Sequence, residues 1–306
     1  MISLFAFIII LLGLVYNSPL VISGASKGLM LWYTNVLPIL LPFMLVSNII
    51  VKKVNSISVP HSTKSLYALI STFLLGLLCG YPLGAKTTSD YVKAGIFSKA
   101  TGNIILPICN NCSPMFISGY VIHIILKDSI SFYKTILLIY TPYIFFLTIL
   151  IILRCIITKT SNISSKKSIN YTEHLSKIQS TSNQKKEDSD LIMTGITQIT
   201  YVGVYIMICS ILIEFINSLN FIPTYMIPLI TGITEITRGL SQISGSIIFE
   251  SDIKKALILA ITSFGGISAI LQTNKVIKKP GLSLIYYTVF KIICSVTTFY
   301  LTILFV

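Results

Sequence analysis

The chain has 306 residues, of which 54% are hydrophobic and only 11% charged, and its formal net charge is +13. Soluble domains carry about 25% charged residues. This chain therefore lacks the polar surface of a soluble enzyme, and its apolar runs do not alternate as the strands of a membrane β-barrel must. The excess of Lys and Arg reads as basic loops on the cytoplasmic face of a bilayer rather than as a nucleic-acid interface.

A helix needs about 20 apolar residues to cross the hydrocarbon layer. On that measure, candidate segments fall at 2–23, 28–51, 66–85, 103–126, 133–157, 191–216, 223–240, 254–273 and 283–306. The first has no basic n-region, so it reads as a membrane segment rather than a cleaved signal. Trp32, Tyr33, Tyr140, Tyr143, Tyr286 and Tyr287 stand near segment ends, where they would anchor the interface or pack between helices. Residues 158–190, "TKTSNISSKKSINYTEHLSKIQSTSNQKKEDSD", are too polar to bury a core. They read as a flexible cytoplasmic linker between an N-terminal membrane half, 1–157, and a C-terminal half, 191–306.

Three basic stretches belong on the cytoplasmic side: 52–65 with Lys52, Lys53 and Lys64; the linker with Arg154; and 274–282 with Lys275, Lys278 and Lys279. Three segments separate each from the next, and three full crossings would put successive stretches on opposite faces. One segment in each half must then enter and return. Such re-entrant backbone is tolerated only where it is buried in protein or lines a cavity.

The two halves echo each other. At an offset of 152 residues, Gly80 falls on Gly232, Lys86 on Arg238, Phe97 on Phe249, Asn111 on Ser263, Ser113 on Gly265 and Pro114 on Gly266. In both halves an apolar segment ends in a Gly-containing polar motif, and a polar connector leads to an apolar segment interrupted by small polar residues. Pro82, Pro107 and Pro114 remove amide donors. Asn110, Asn111, Ser113, Ser263 and Ser268 can satisfy the groups so freed. Paired interruptions in two halves are a pointer to a transporter's binding site; the plainer reading is that they kink helices or let them pack closely.

Lys86 and Arg238 could snorkel to the interface or hold an anion with broken-helix amides. Glu235 is an acid within an apolar run, which marks a functional site by default. It could pair with Arg238 on one helical face or take a coupling proton or sodium ion. Cys109 and Cys112 have a C-x-x-C spacing, but a zinc site needs two more ligands, and the partner stretch "ITSFGGIS" has no cysteine. The thiols thus read as incidental, His123 as helix-packed and His174 as solvated. No H-E-x-x-H, P-loop or G-x-S-x-G pattern points to an enzyme, and nothing requires a metal or organic cofactor.

Gly80-Tyr81-Pro82, Gly84-Ala85-Lys86, Cys109-Asn110-Asn111 with Pro114 and Phe116, Glu235-x-Thr237-x-Gly239, and Ser263-Phe264-Gly265-Gly266 with Ser268 together resemble the sporulation integral membrane protein YlbJ (SpoVV) family. That family belongs to the nucleoside-recognition or Gate group. Cys79 stands where the family pattern has Ser, Cys112-Ser113 replaces Ser-Gly, and Arg238 occupies a variable place. The resemblance implies an all-α polytopic membrane protein of two pseudo-repeated halves with broken or re-entrant helices, like concentrative nucleoside transporters. It implies carriage of dipicolinic acid from the mother cell across the outer forespore membrane of a spore-forming bacterium. Lys86 would attract the dianion; Asn110, Asn111, Ser263 and Gly265-Gly266 would cradle it; Glu235 would orient Arg238 or sense the coupling ion. Gly80, Tyr81, Pro82, Gly84, Ser113, Thr237, Phe264 and Ser268 complete the expected site. The alternatives are a nucleoside or other small-solute carrier, or a membrane scaffold or gate subunit that transports nothing. Self-association in the bilayer is compatible with any of these.

Overall fold

A computed structural model describes residues 12–55, 64–161, 184–219 and 221–306. His61, His174 and the middle of the expected linker lie outside the described residues. The described chain is helical and, among those residues, contains no strand. Among the described residues, five helical stretches are long and apolar enough to cross a membrane: Ser18–Val46, Lys99–Ile125, Ile192–Asn217, Ser251–Ile277 and Leu284–Phe305. Leu66–Cys79 and Phe132–Phe146 are shorter apolar helices. The protein is an all-α polytopic membrane protein.

The elements are α1 (Ser18–Leu31), a π-helical stretch (Trp32–Val36) and α2 (Leu37–Asn55), then α3 (Lys64–Cys79), α4 (Leu83–Lys93), α5 (Lys99–Cys109) and α6 (Pro114–Phe116). A second π-helical stretch (Ile117–Ile125) extends α6. There follow α7 (Phe132–Ser161), α8 (Gln184–Asn217), α9 (Ile227–Thr234), α10 (Ile236–Gly245), α11 (Ser251–Phe264), α12 (Gly266–Ile277) and α13 (Leu284–Phe305).

Three expected boundaries move. Residues 24–27 do not separate two segments; the helix runs through them, because Gly24 and Gly28 are a packing face. A Cβ on Gly24 would lie 2.6 Å from Ile211 Cα, and one on Gly28 2.8 Å from Ser210 Oγ. Small residues here let α1 lie against α8, the usual device for close helix approach in lipid. The segment expected at 223–240 is two helices, whereas 254–273 is interrupted at Gly265, within its expected polar break. The expected linker is also partly helical, since α7 runs on to Ser161 and α8 begins at Gln184.

The helices sort into two groups by their contacts. One is α1 and α2 packed along α8; Trp32 donates from Nε1 to Ile199 O at 3.1 Å. The other contains the broken segments, with α11 against α13 and α7, and α4 against α5 and α12. The interrupted spans Lys99–Ile125 and Ser251–Ile277 are the most enclosed, with 72% and 78% of their apolar windows buried against 12% for Ser18–Val46. Helices with broken ladders therefore sit inside, where protein rather than lipid meets their freed backbone groups.

Candidate functional site: four helix breaks around one cavity

α3 stops at Gly80, whose φ of +66° lies in the left-handed region that Gly enters without a Cβ penalty. Past Tyr81-Pro82 the chain reverses, and α4 packs back on α3 as a helical hairpin. Gly76 and Gly84 flank the tip on its two arms. A Cβ on either would sit 2.1 or 1.8 Å from Cys109 O, so the hairpin receives the broken end of α5 on bare backbone. α9 and α10 form a second hairpin with Glu235 at its tip. There the arms touch directly: a Cβ on Gly239 would lie 2.0 Å from Gly232 Cα.

The helix after each hairpin is also interrupted. α5 ends at Cys109, and α6 restarts at Pro114 with Ser113 Oγ accepting from Phe116 N at 3.2 Å. α11 ends at Phe264, and Gly265, with φ +89°, makes the left-handed link to α12. Each hairpin tip meets the following break. A Cβ on Gly80 would be 2.7 Å from Asn111 O, and one on Gly266 3.3 Å from Ile236 N. Glu235 caps α10, its Oε2 accepting from Arg238 N at 2.8 Å and from Thr237 Oγ1 at 2.5 Å.

Four tyrosines donate to backbone carbonyls at or beside these breaks, three of them to carbonyls that a helix end leaves open. Tyr140 Oη donates to Cys112 O at 2.7 Å, Tyr143 to Ser263 O at 2.6 Å, Tyr120 to Thr237 O at 2.8 Å and Tyr287 to Asn110 O at 3.3 Å. Tyr140, Tyr143 and Tyr287 thus pack between helices rather than anchoring an interface. A buried carbonyl left unpaired costs about 1–3 kcal/mol. Tyr143→Phe is accordingly expected to cost about 1–3 kcal/mol, read as a lowered Tm of the detergent-solubilised protein.

The asparagines are likewise engaged with protein. Asn110 Nδ2 donates to Thr273 Oγ1 at 2.7 Å and to Tyr287 Oη at 3.1 Å, and its Oδ1 accepts from Ala85 N at 3.2 Å. Asn111 Nδ2 donates to Ile108 O at 2.7 Å and to Pro107 O at 3.2 Å, and its Oδ1 accepts from Lys291 Nζ at 2.6 Å. Ser263 Oγ lies 3.1 Å from Tyr143 Oη and accepts from Thr298 Oγ1 at 3.3 Å. These groups hold the breaks in shape, and none of the three is among the residues lining the two spaces described below.

A small cavity of about 70 Å³ does lie where the four breaks meet. Tyr81, Ser113, Glu235, Thr237, Gly265 and Ser268 line it, with Cys79 and Cys112 beside them. Val36 and Leu40 from the first helix group, and Val202 and Ile206 of α8, form the opposite wall. The cavity therefore lies on the seam between the two groups. Tyr81 Oη is buried without a well-formed hydrogen bond, the Tyr287 hydroxyl beside it. Cys112 Sγ is partnered by Thr262 O at 3.3 Å.

A larger chamber of about 630 Å³ continues along the same seam, with Gln272 lining both spaces. Lys86, Lys93, Lys275 and Lys279 line it with one acid, Asp90, while Thr197, Gln198, Tyr201 and Tyr205 supply the α8 wall. Lys93 Nζ pairs with Asp90 at 3.1 Å, and Lys275 Nζ stacks 3.5 Å from the centroid of Tyr201.

The expected site residues thus separate. Tyr81, Ser113, Glu235, Thr237, Gly265 and Ser268 surround the cavity; Pro82 and Lys86 line the chamber; Gly80, Gly84 and Gly266 make close backbone contacts; Phe264 packs beside Ala85 and Leu106. Arg238 does not share a site with Lys86. Its guanidinium turns to Glu214, with Nη2 to Oε1 at 2.6 Å, instead of pairing with Glu235. His123 is exposed rather than helix-packed, its Nδ1 3.1 Å from Asp128 Oδ2 past the end of the π-helical stretch. Two residues escaped the sequence reading, Glu214 in "SILIEFIN" and Lys291 in "YYTVFKIICS". Both are ionisable side chains inside apolar runs, the same signal that picked out Glu235. No family model, curated protein or solved structure matches the chain.

Proposed function

We propose that the protein is a membrane transporter for a small anionic metabolite. The observation that carries this reading is the meeting of all four helix breaks at one cavity on the seam between two helix groups, next to a cationic chamber. Broken backbone inside a membrane protein is tolerated where it is buried in protein or lines a cavity, and paired breaks in two halves point to a solute site. The chamber has the volume of a small-molecule site, within the usual ~300–1,000 Å³, whereas the cavity is far below it. The solute would rest in the chamber in this conformation and enter the cavity when the two groups shift.

The reading also gives a topology. Met193 of α8, Lys275 in the last turn of α12 and Lys279 just past it share the chamber, so the linker and the 274–282 loop would lie on one face. Their charge makes that face cytoplasmic. The α3–α4 hairpin would enter from there, since Lys93 also lines the chamber. α8 then carries the chain to the other face, from which the α9–α10 hairpin would enter. Two re-entrant hairpins from opposite faces, each followed by a broken crossing helix, make the halves an inverted repeat. All three basic stretches then fall on the cytoplasmic side.

The four lysines against one carboxylate favour an anion, and the resemblance to the YlbJ (SpoVV) family points to dipicolinate, a planar dianion, carried across the outer forespore membrane. Lys86 would draw it into the chamber, with charge-assisted hydrogen bonds to its carboxylates. The test is dipicolinate uptake into vesicles containing the purified protein. Wild-type uptake above that of empty vesicles is expected, falling about tenfold in Lys86→Ala, the loss of roughly 1.4 kcal/mol of binding. Wild-type uptake equal to empty vesicles would overturn the dipicolinate reading, and unchanged uptake in Lys86→Ala would remove that lysine from the entry path.

A further inference from the structure

One helix ties the chamber, the cavity and a buried ion pair into a line. α8 lines the chamber from Met193 to Tyr205 and, on its adjoining face, supplies Val202 and Ile206 to the cavity. One and two turns further on it supplies Ser210 and Glu214. At ~1.5 Å per residue, Glu214 lies about 32 Å along the helix from Met193 and about 12 Å beyond Ile206. The outer end of the chamber at Met193 and Glu214 are therefore near opposite faces of a ~30 Å layer, with the cavity at an intermediate depth.

At that far end the two helix groups are joined by charge. Arg238, three residues past the Glu235 tip, donates from Nη2 to Glu214 Oε1 at 2.6 Å and from Nη1 to Ser210 O at 3.0 Å. From α1, Lys27 Nζ reaches Glu214 Oε2 at 2.9 Å, and Ser23 Oγ reaches the same oxygen at 3.3 Å. Side-chain exposure is 8% for Arg238 and 10% for Glu214, but 55% for Lys27. The contact therefore has a dry core and one open edge.

Among the described residues, the buried side-chain polar atoms without a well-formed hydrogen bond to protein are Tyr81 Oη at the cavity, and Ser210 Oγ, Asn217 Oδ1 and Gln242 Oε1. The last three belong to α8 and α10, the two helices that the Glu214–Arg238 pair connects. Unmet polar atoms are costly where water is shut out. A second conformation in which water reaches this end of α8 would satisfy them.

We propose that the Glu214–Arg238 pair, with Lys27 at its edge, is the gate that closes the cavity on the face opposite the chamber. This rests on the transporter reading. Opening separates the α10 arm of the second hairpin from α8 and α1, exchanging a desolvated ion pair for hydrated side chains. The cavity then loses its far wall while the chamber side closes. The same pair explains why Arg238 is absent from the cavity: its charge is spent on the gate, and Lys86 on the opposite side remains for the solute.

The cavity carries its own reporter, since Cys112 lines it. The experiment uses full-length protein with Cys112 as its only cysteine, in vesicles of known orientation. A membrane-impermeant maleimide is applied from either face. In the parent, labelling from the chamber face is expected to exceed labelling from the opposite face. Glu214→Gln is expected to raise opposite-face labelling about tenfold, the change that ~1.4 kcal/mol of lost closed-state pairing produces. Lys27→Met removes only the exposed partner and is expected to raise it about threefold without threatening the fold. Opposite-face labelling that stays at the parent level in Lys27→Met and in folded Glu214→Gln overturns the gate. Labelling needs no solute, so a protein that fails to take up dipicolinate yet shows these shifts would retain the gate and lose only the substrate.

Discussion

Gly84→Val is expected to abolish accumulation of folded protein. Gly84 lies inside α4 with an ordinary helical backbone, so the demand is for space and not for an unusual φ. A single added Cβ would stand 1.8 Å from the carbonyl oxygen of Cys109, and Gly76 on the other arm faces the same oxygen at 2.1 Å. That oxygen cannot move cheaply. It is the last carbonyl of α5, next to Asn110 and Asn111, whose side chains are committed to Thr273, Tyr287 and Lys291. Pushing α4 away would open the hairpin and displace the break that borders the cavity. Overpacking a rigid contact costs about 3 kcal/mol or more, a large part of the ~5–15 kcal/mol that holds a typical domain together. The control is Gly245→Ala, where a Cβ meets nothing within 4 Å and a small gain of about 0.4–1 kcal/mol is expected. Monodisperse yield in detergent and Tm separate the two. Normal yield and Tm for Gly84→Val would mean that the hairpin does not pack as described.

These contacts explain which features were legible in the sequence. The breaks were, because Gly, Pro, Asn and Ser within apolar runs act on the residues next to them. Gly80, Asn110–Ser113 and Gly265 are where helices stop. Glu235 too was read as special, and it is the tip of a hairpin. What each break does to the path of the chain was less legible. At Gly80 and Glu235 the helix folds back; at Asn110–Ser113 and Gly265 it continues. The gapless offset of 152 places Ser113 on Gly265, at corresponding breaks, but Gly80 on Gly232, which is one arm of the second hairpin and not its tip. The composition of each stretch does not distinguish these outcomes. They depend on which backbone meets which, as when Gly232 meets Gly239.

The groups that satisfy the breaks were the least legible. Tyr143 reaches Ser263 across 120 residues, and Lys291 reaches Asn111 across 180. A tyrosine in an apolar run is equally consistent with an interfacial anchor, a packing residue and a hydrogen-bond donor, and only its partner decides. Lys86 and Arg238 looked equivalent because each ends an apolar stretch and each has snorkelling as an alternative. Their difference comes from Glu214, on a helix outside both motifs.

Lys291 supports the second strong expectation, an asymmetry between two substitutions in one contact. Its side chain is wholly buried in α13, and among the described residues no carboxylate pairs with it. Its Nζ donates to Asn111 Oδ1 at 2.6 Å and lies 5.2 and 4.9 Å from the ring centroids of Tyr81 and Tyr143. Asn111→Leu would remove the acceptor and leave that nitrogen stranded among Cys112, Cys294 and two rings. Leaving a buried donor without its acceptor costs about 1–3 kcal/mol. It would also free Ile108 O and Pro107 O, which Asn111 Nδ2 now satisfies. Lys291→Met keeps most of the volume and leaves only Asn111 Oδ1 without its donor, a loss of about 1–3 kcal/mol offset by no longer burying a polar head. Asn111→Leu should therefore lower Tm far more than Lys291→Met. The double variant should recover part of that loss, because its two apolar side chains face each other. Equal costs, or a double variant no better than Asn111→Leu alone, would mean that the nitrogen finds water or another acceptor and that the second break is held by its backbone contacts with the first hairpin.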